Sequence, residues 1–191
     1  MKTTKQLFLV SIFFIALVAC KTETKNKQSS SETTKTVTEK TKKQGQAFLK
    51  DDEATPNILD IAIGSKDHTT LVVAVQAAEL ENALVNAGPL MVFAPTNAAF
   101  DALPDGTVDD LLKPENKQAL ANILKYHVTP GNYSKDFLKK FKKLGQANDQ
   151  SIPVQVKDGE VYVGEGKIIA SVKAGNGIVH VIDKVLLPPT N

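Results

Sequence analysis

From Lys21 to Gln46 the chain carries one large apolar residue, Val37, among Lys, Thr, Ser, Gln, Glu and Asn. Such a stretch cannot bury enough surface to offset the entropy lost on ordering it. A hydrophobic core must therefore be built from the residues C-terminal to it, and the chain divides into residues 1–19, 20–50 and 51–191. The last part is long enough for one core and one domain.

Residues 1–19 begin with Lys2 and Lys5 and continue in an apolar run from Leu7 to Ala19 whose only polar member is Ser11. A charged start and a short apolar stretch have the layout of a signal peptide, and a permanent span takes about 20 apolar residues. The run ends in Leu17-Val18-Ala19-Cys20, which resembles the lipobox of bacterial lipoproteins. The resemblance implies loss of residues 1–19 and a thioether-linked diacylglycerol on Cys20, the chain's single cysteine. The expected partner at this end is a membrane, reached through lipid. Two or three acyl chains would anchor it durably where one alone holds weakly. Residues 20–50 read as a disordered Lys/Thr-rich tether. Eight lysines against Glu23, Glu32 and Glu39 give Lys21–Lys50 a net charge of +5, so 51–191 carries −5 of the chain's overall +2.

All 23 basic residues are lysine, so no guanidinium fork is available for bidentate capture of phosphate, and specific nucleic-acid binding is not expected. Three histidines, one cysteine and no tryptophan leave few parts for metal or nucleophile chemistry. Gly-x-Ser-x-Gly, His-Glu-x-x-His and a phosphate-binding glycine loop are all missing from the sequence. The expectation is no catalytic residues, no metal and no cofactor.

Within 51–191, Thr55-Pro56 reads as an N-cap and first turn of a short helix through Ile58, Leu59 and Ala62. A longer helix is predicted from about Thr70 to Asn86, stopped by Gly88-Pro89. Leu90 to Ala94 is a buried strand ending at Pro95, with Thr96 and Asn97 capping the next turn. Thr107 caps another turn, and Pro114 opens a helix to about His127 with Leu120, Ile123, Leu124 and His127 on one stripe. Ser134 caps a short helix with Phe137, Leu138 and Phe141 inward and Lys139, Lys140, Lys142 and Lys143 outward. Alternation from Ser151 to Lys157, then Asp158-Gly159, predicts a hairpin into Val161 and Val163. Ile168–Val172 and Ile178–Leu187 complete the strands, with Gly175-Asn176-Gly177 as a turn between them. Helices first and strands last make an α+β domain.

Three stretches stand in fixed order: Pro89-Leu90-Met91-Val92-Phe93-Ala94-Pro95-Thr96-Asn97-Ala98-Ala99-Phe100, then Ile123-Leu124-Lys125-Tyr126-His127-Val128-Thr129-Pro130-Gly131, then Asn176-Gly177-Ile178-Val179-His180-Val181-Ile182-Asp183-Lys184-Val185-Leu186-Leu187-Pro188. They resemble the first signature, the Tyr-His motif and the second signature of the fasciclin domain. The resemblance covers about residues 55–190. It implies helices packed on a β-wedge or sandwich, found in secreted and surface-anchored proteins linked to adhesion. It ties Tyr126 and His127, the candidate binding pair, both to adhesion and to the integrity of the fold, and a His on an apolar stripe reads first as a core residue whose ring nitrogens find backbone partners rather than as a catalytic base. Thr96, Asn97, Asn176, Gly177 and His180 are expected to be structural, with Asn176-Gly177 supplying positive φ angles. His68 is expected to be exposed or beside a cap. Where some vertebrate members carry Glu-Pro-Asp-Ile-Met, this chain reads Ala170-Ser171-Val172-Lys173-Ala174, so integrin binding does not transfer.

The leading functional expectation is a non-catalytic, lipid-anchored module on the bacterial cell envelope, at the outer membrane, contacting an extracellular or envelope protein or polysaccharide. The alternatives are a periplasm-facing structural or stress-related lipoprotein and, behind it, a hydrolase using a histidine. For Lys139–Lys143 the default is a solvated helix face, and the sharper reading is an anionic polysaccharide or lipid headgroup.

Overall fold

The computed structural model describes residues 55–189. Cys20, the signal peptide and the tether lie outside the described residues.

Helix α1 (Ile58–Gly64) leads through a 3-10 turn (Lys66–His68) into α2 (Thr69–Ala77) and α3 (Glu81–Asn86). Strand β1 (Leu90–Pro95) is followed by the short helices α4 (Asn97–Asp101) and α5 (Thr107–Leu111), then by α6 (Lys117–Tyr126). Strand β2 (Val128–Pro130), the single-turn helix α7 (Lys135–Leu138) and β3 (Lys143–Gly145) precede β4 (Ser151–Lys157), β5 (Glu160–Val163), β6 (Gly166–Ala174) and β7 (Gly177–Ile182). The seven strands form one mixed sheet in the order β2-β1-β7-β6-β5-β4-β3, antiparallel except for the β1–β7 pair. The α+β class and the helix-on-wedge arrangement expected from the sequence are what the structure shows.

Strands β1 and β7 lie side by side inside the sheet, second and third from the β2 edge, and both of their faces are covered. Met91 and Phe93 of β1 and Ile178 and Ile182 of β7 enter one cluster, in which Val161, Val163 and Ile168 of the later strands also pack. Val92, Ala94 and Val179 face the other way, into a cluster with Ile58, Leu71, Val75, Leu120 and Leu124 from the helices. Burial on both faces is why these strands read as unbroken apolar runs rather than as alternations. Each fully buried side chain of Phe93's or Met91's size contributes about 2–3 kcal/mol.

The structure departs from the expected elements in several places. Thr107 does not cap α5 but is its first residue, and the N-cap is Gly106 at φ 79° with no side-chain bond. Helix α1 is capped by Asn57, not Thr55: the Asn57 side chain accepts from the Leu59 and Asp60 amides at 2.9 and 3.0 Å, and Asp60 accepts from the Asn57 amide. The helix expected over 70–86 is two helices. Glu79 takes φ 55°, its amide donates to the Gln76 carbonyl and the Leu80 amide to that of Val75, a Schellman closure that normally uses glycine. The strand expected to reach Leu187 stops at Ile182, after which Asp183 turns to accept from the Lys167 amide at 2.7 Å. Finally, the Asn176-Gly177 turn has no positive φ at either residue. The Asp158-Gly159 hairpin does have the left-handed pair its sequence requires, with φ 52° and 81°.

Candidate functional site

The residues of the resembling motifs act mainly as rivets. Thr96 caps α4, its hydroxyl accepting from the Ala99 amide. Asn97 reaches back instead, accepting from the Thr70 amide at 3.1 Å and donating to the Lys66 carbonyl at 3.0 Å. It thereby satisfies the start of α2, whose own N-cap residue, His68, supplies no side-chain bond. Asn176 ties the sheet to two helices at once. Its Oδ1 accepts from the Ile58 amide at 2.9 Å, and its Nδ2 donates to the carbonyls of Leu84 at 2.7 Å and Val85 at 3.3 Å. Gly177 is required for a different reason than a turn: a Cβ there would overlap the Leu90 carbonyl of the adjacent strand.

Tyr126 and His127 lie beneath the surface, 4% and 3% exposed. The His127 Nδ1–H donates to the Ile123 carbonyl at 2.8 Å, one of the orphan acceptors at the end of α6. Its Nε2 accepts from the Leu186 amide at 2.9 Å. Since a carbonyl can only accept and an amide can only donate, these partners fix the neutral tautomer. Burial lowers the His127 pKa to about 4, against a smaller upward pull from the Ile123 carbonyl. The Tyr126 hydroxyl points at the Ser151 carbonyl at 3.4 Å, and burial raises its pKa. The ring helps to floor a hollow of about 230 Å³, bordered by Glu165, Leu186 and Leu187.

His180 is fully buried and stacks on Phe93, with ring centroids 5.9 Å apart. Its Nε2–H donates to the Tyr133 carbonyl at 2.9 Å and its Nδ1 accepts from the Ser171 hydroxyl at 2.7 Å. A serine hydrogen-bonded to a histidine is the start of a nucleophilic dyad, but the third member is of the wrong chemistry here. The second ring nitrogen meets a carbonyl where a catalytic imidazole meets a carboxylate, and burial lowers the pKa more than the Tyr133 bond raises it, with Lys135 adding to the lowering. His68, expected to be exposed or beside a cap, is buried, and it does sit beside a cap, next to Ser65 and at the N-cap position of α2. Its Nδ1 meets the Ser65 hydroxyl at 2.7 Å and its pKa is lowered, chiefly by burial. Among the described residues no group of three or more His, Cys, Asp or Glu is placed to hold a metal ion.

At the edge of the core, where Tyr133 and Phe141 pack half-buried against it, one surface stands apart. Tyr133, Phe137 and Phe141 form a three-ring cluster with centroids 5.1–5.6 Å apart, Tyr133 stacked on Phe137 and Phe141 tilted against Tyr133 and edge-on to Phe137. Phe137, expected to point inward, is 42% exposed, because a single-turn helix can bury only one side and Leu138 occupies it. Lys140 lies over the Phe137 ring at 4.9 Å, and Lys139 pairs with Asp136 at 2.8 Å. Lys142 and Lys143 are exposed, and neither forms a salt bridge among the described residues. The Tyr133, Phe137, Phe141 spacing of four was visible in the sequence; that the rings cluster at the surface was not.

With this geometry in view, the comparisons with known proteins decide the family. A fasciclin domain model matches residues 66–188. The chain belongs to the fasciclin family. It is 48% identical over 133 residues to protein sll1483 of Synechocystis, covering 69% of this chain and 73% of that protein. It is 37% identical over 151 residues to the transforming growth factor-beta-induced protein ig-h3 of Sus scrofa, covering 77% of this chain and 22% of that one. It is 36% identical over 105 residues to the cell surface glycolipoprotein MPB83 of Mycobacterium bovis, covering 55% and 46%. The fold of this fasciclin domain matches that of a FAS1 domain pair from the insect cell adhesion molecule Fasciclin I, with a TM-score of 0.62 at 19% identity over 70% of this chain and 51% of that one.

Proposed function

We propose that this fasciclin domain is a non-catalytic contact module of a bacterial cell envelope, held to the outer membrane by lipid on Cys20 and displayed on the 20–50 tether. Its contact surface is the aromatic–lysine patch of Tyr133, Phe137, Phe141, Lys140, Lys142 and Lys143. The observation that carries the reading is the exposed Phe137 ring, seated on half-buried Tyr133 and Phe141 and flanked by lysines that form no salt bridge among the described residues, on a domain whose overall charge is −5. Aromatic rings supply contact area at low entropic cost, and lysines act as point charges toward an acidic polysaccharide or an acidic protein face. The pairing of both motif histidines inside the fold supports a role without turnover. The names of the relatives, one a cell surface glycolipoprotein, support a place at the envelope.

The test is attachment of beads displaying Lys21–Asn191 to a panel of acidic and neutral polysaccharides and matrix proteins. Binding should be confined to acidic members and weaken with added salt, and Phe137→Ser combined with Lys142→Glu and Lys143→Glu should abolish it. Beads that attach no better than blanks across the panel would overturn the reading. Separately, mass spectrometry of the mature polypeptide should find a diacylglyceryl group on Cys20, and an unmodified thiol there would remove the anchor.

A further inference from the structure

The helical layer does not fill the space it encloses. A cavity of about 180 Å³ lies between α1, α2, α3 and the β1–β7 face, walled by Leu59, Leu71, Val75, Val92, Leu124 and Val179. The four exposed residues that line it, Ala83 of α3, Ala87 just after that helix, Lys125 of α6 and Ala147 beyond β3, mark its rim. The residues that line it on α3 and at Ala147 are mostly small, and α3 itself buries no residue fully. The opening therefore lies where the packing is thinnest.

Water has little reason to occupy this space, because a trapped water needs two to four polar partners. The one buried polar side chain on the wall, His127, has both ring nitrogens committed to Ile123 and Leu186. An apolar hole of about 150 Å³ takes up benzene, so this one has room for a hydrocarbon of about six to eight carbons. Lys125 adds the direction. It is exposed at the rim, and its ammonium forms no salt bridge among the described residues.

We propose that the cavity is a binding site for one straight alkyl chain of a fatty-acid-like carboxylate, the tail seated between α2, α3 and the sheet and the carboxylate at Lys125. The site is independent of the aromatic–lysine patch, whose residues run from Tyr133, before α7, to Lys143 at the start of β3.

The test is titration of Lys21–Asn191, which contains both core clusters whole, with octanoate and with octanol below their aggregation limits. The readouts are calorimetry and methyl NMR. Octanoate should saturate at one per chain and shift the methyl signals of Val75, Leu84 and Leu124. Lys125→Glu should weaken octanoate about fivefold and leave octanol unchanged. Ala62→Phe and, as a second filling variant, Val72→Phe should each abolish both ligands, provided the unliganded melting transition persists. The NMR map on the unaltered chain stands whether or not those variants fold. Absence of saturable binding, or shifts confined to residues away from the cavity, would overturn the site. Equal octanoate affinity in Lys125→Glu would overturn the placing of the carboxylate.

Discussion

The two sides of the β1–β7 pair are held together by different means. On the strand side, bulky residues from six strands fill the cluster around Phe93, Val161, Val163, Ile168 and Ile182, and hydrogen-bond ladders fix the elements that carry them. On the other side, the helices are short, four of them (α2, α3, α5 and α6) lack a side-chain cap of their own, and a cavity of about 180 Å³ remains. That layer is fixed by residues from elsewhere in the chain: Asn97 at the start of α2, and Asn176 at the start of α1 and the end of α3. A helix too short to be stable alone is positioned by tertiary contacts, so the sheet dictates where the helical layer sits. The rigid side carries the fold, and the side assembled by rivets is where a ligand can enter.

Removing the link between the sides at its narrowest point should have the largest effect. In Gly177→Ala, the added Cβ meets the Leu90 backbone, which cannot rotate away as a side chain could. The expected cost is more than about 4 kcal/mol, read as loss of a cooperative urea transition or of soluble protein. A change below about 1 kcal/mol would mean that β1 and β7 can separate without harm.

Acid should act next, through His127, which joins the end of α6 to Leu186 in the strand-side cluster. Its folded pKa of about 4 lies below the ordinary 6.5, so the unfolded chain takes up the proton first as the pH falls. The contribution is complete above pH 6.5, declines between 6.5 and 4, and is fully lost below 4. The size is about 3 kcal/mol. Protonation would also turn Nε2 into a donor facing the Leu186 amide. Stability curves at about pH 7 and about pH 4.5, on either side of most of this range, with an NMR titration of the His127 ring, check this; a ring that titrates near 6.5 in the folded protein sinks it.

The rivets themselves come third. Asn176→Ala leaves the Ile58 amide and the Leu84 carbonyl without their partner, for about 2–3 kcal/mol. The loss should be local in kind. Amide hydrogen exchange should quicken in α1 and α3 while the β4–β5 hairpin keeps its protection. Uniform acceleration would contradict the idea that the helical layer is fastened separately.

The same contrast explains what the sequence reveals. Leu90–Ala94 and Ile178–Ile182 are legible because a strand buried on both faces must be apolar throughout. The β4–β5 hairpin is legible because Asp158-Gly159 announces its turn. Strands β2 and β3 are three residues long, with one buried side chain each, Thr129 and Leu144, and so carry no period to detect. Asn97 and Asn176 are visible as motif residues, but their partners lie 27 and 118 positions away, and a local reading assigns them to caps or turns beside them. Phe137 belongs to an apolar stripe that would be inward on a long helix and is outward on a single turn. The cavity is the least legible feature, since it is made by atoms that Ala62, Ala83 and Ala87 do not have.

The smallest predicted effect separates backbone strain from charge in the helical layer. Glu79 holds a left-handed conformation that costs a non-glycine residue about 1 kcal/mol. Its carboxylate meets Lys117 at 2.6 Å in an exposed pair, of a kind that contributes between about 0 and 1 kcal/mol. Glu79→Ala removes the pair and keeps the strain, so it should destabilise slightly. Glu79→Gly removes both and should stabilise by about 0.5 kcal/mol. The difference between the two variants, about 1 kcal/mol, should be independent of salt because both lack the carboxylate. The difference between Glu79→Gly and the unaltered chain should grow as salt weakens the Lys117 pair. If the glycine variant is no more stable than the alanine one, the Schellman closure is not where α2 and α3 are strained, and the break between them must be imposed by packing on α1 instead.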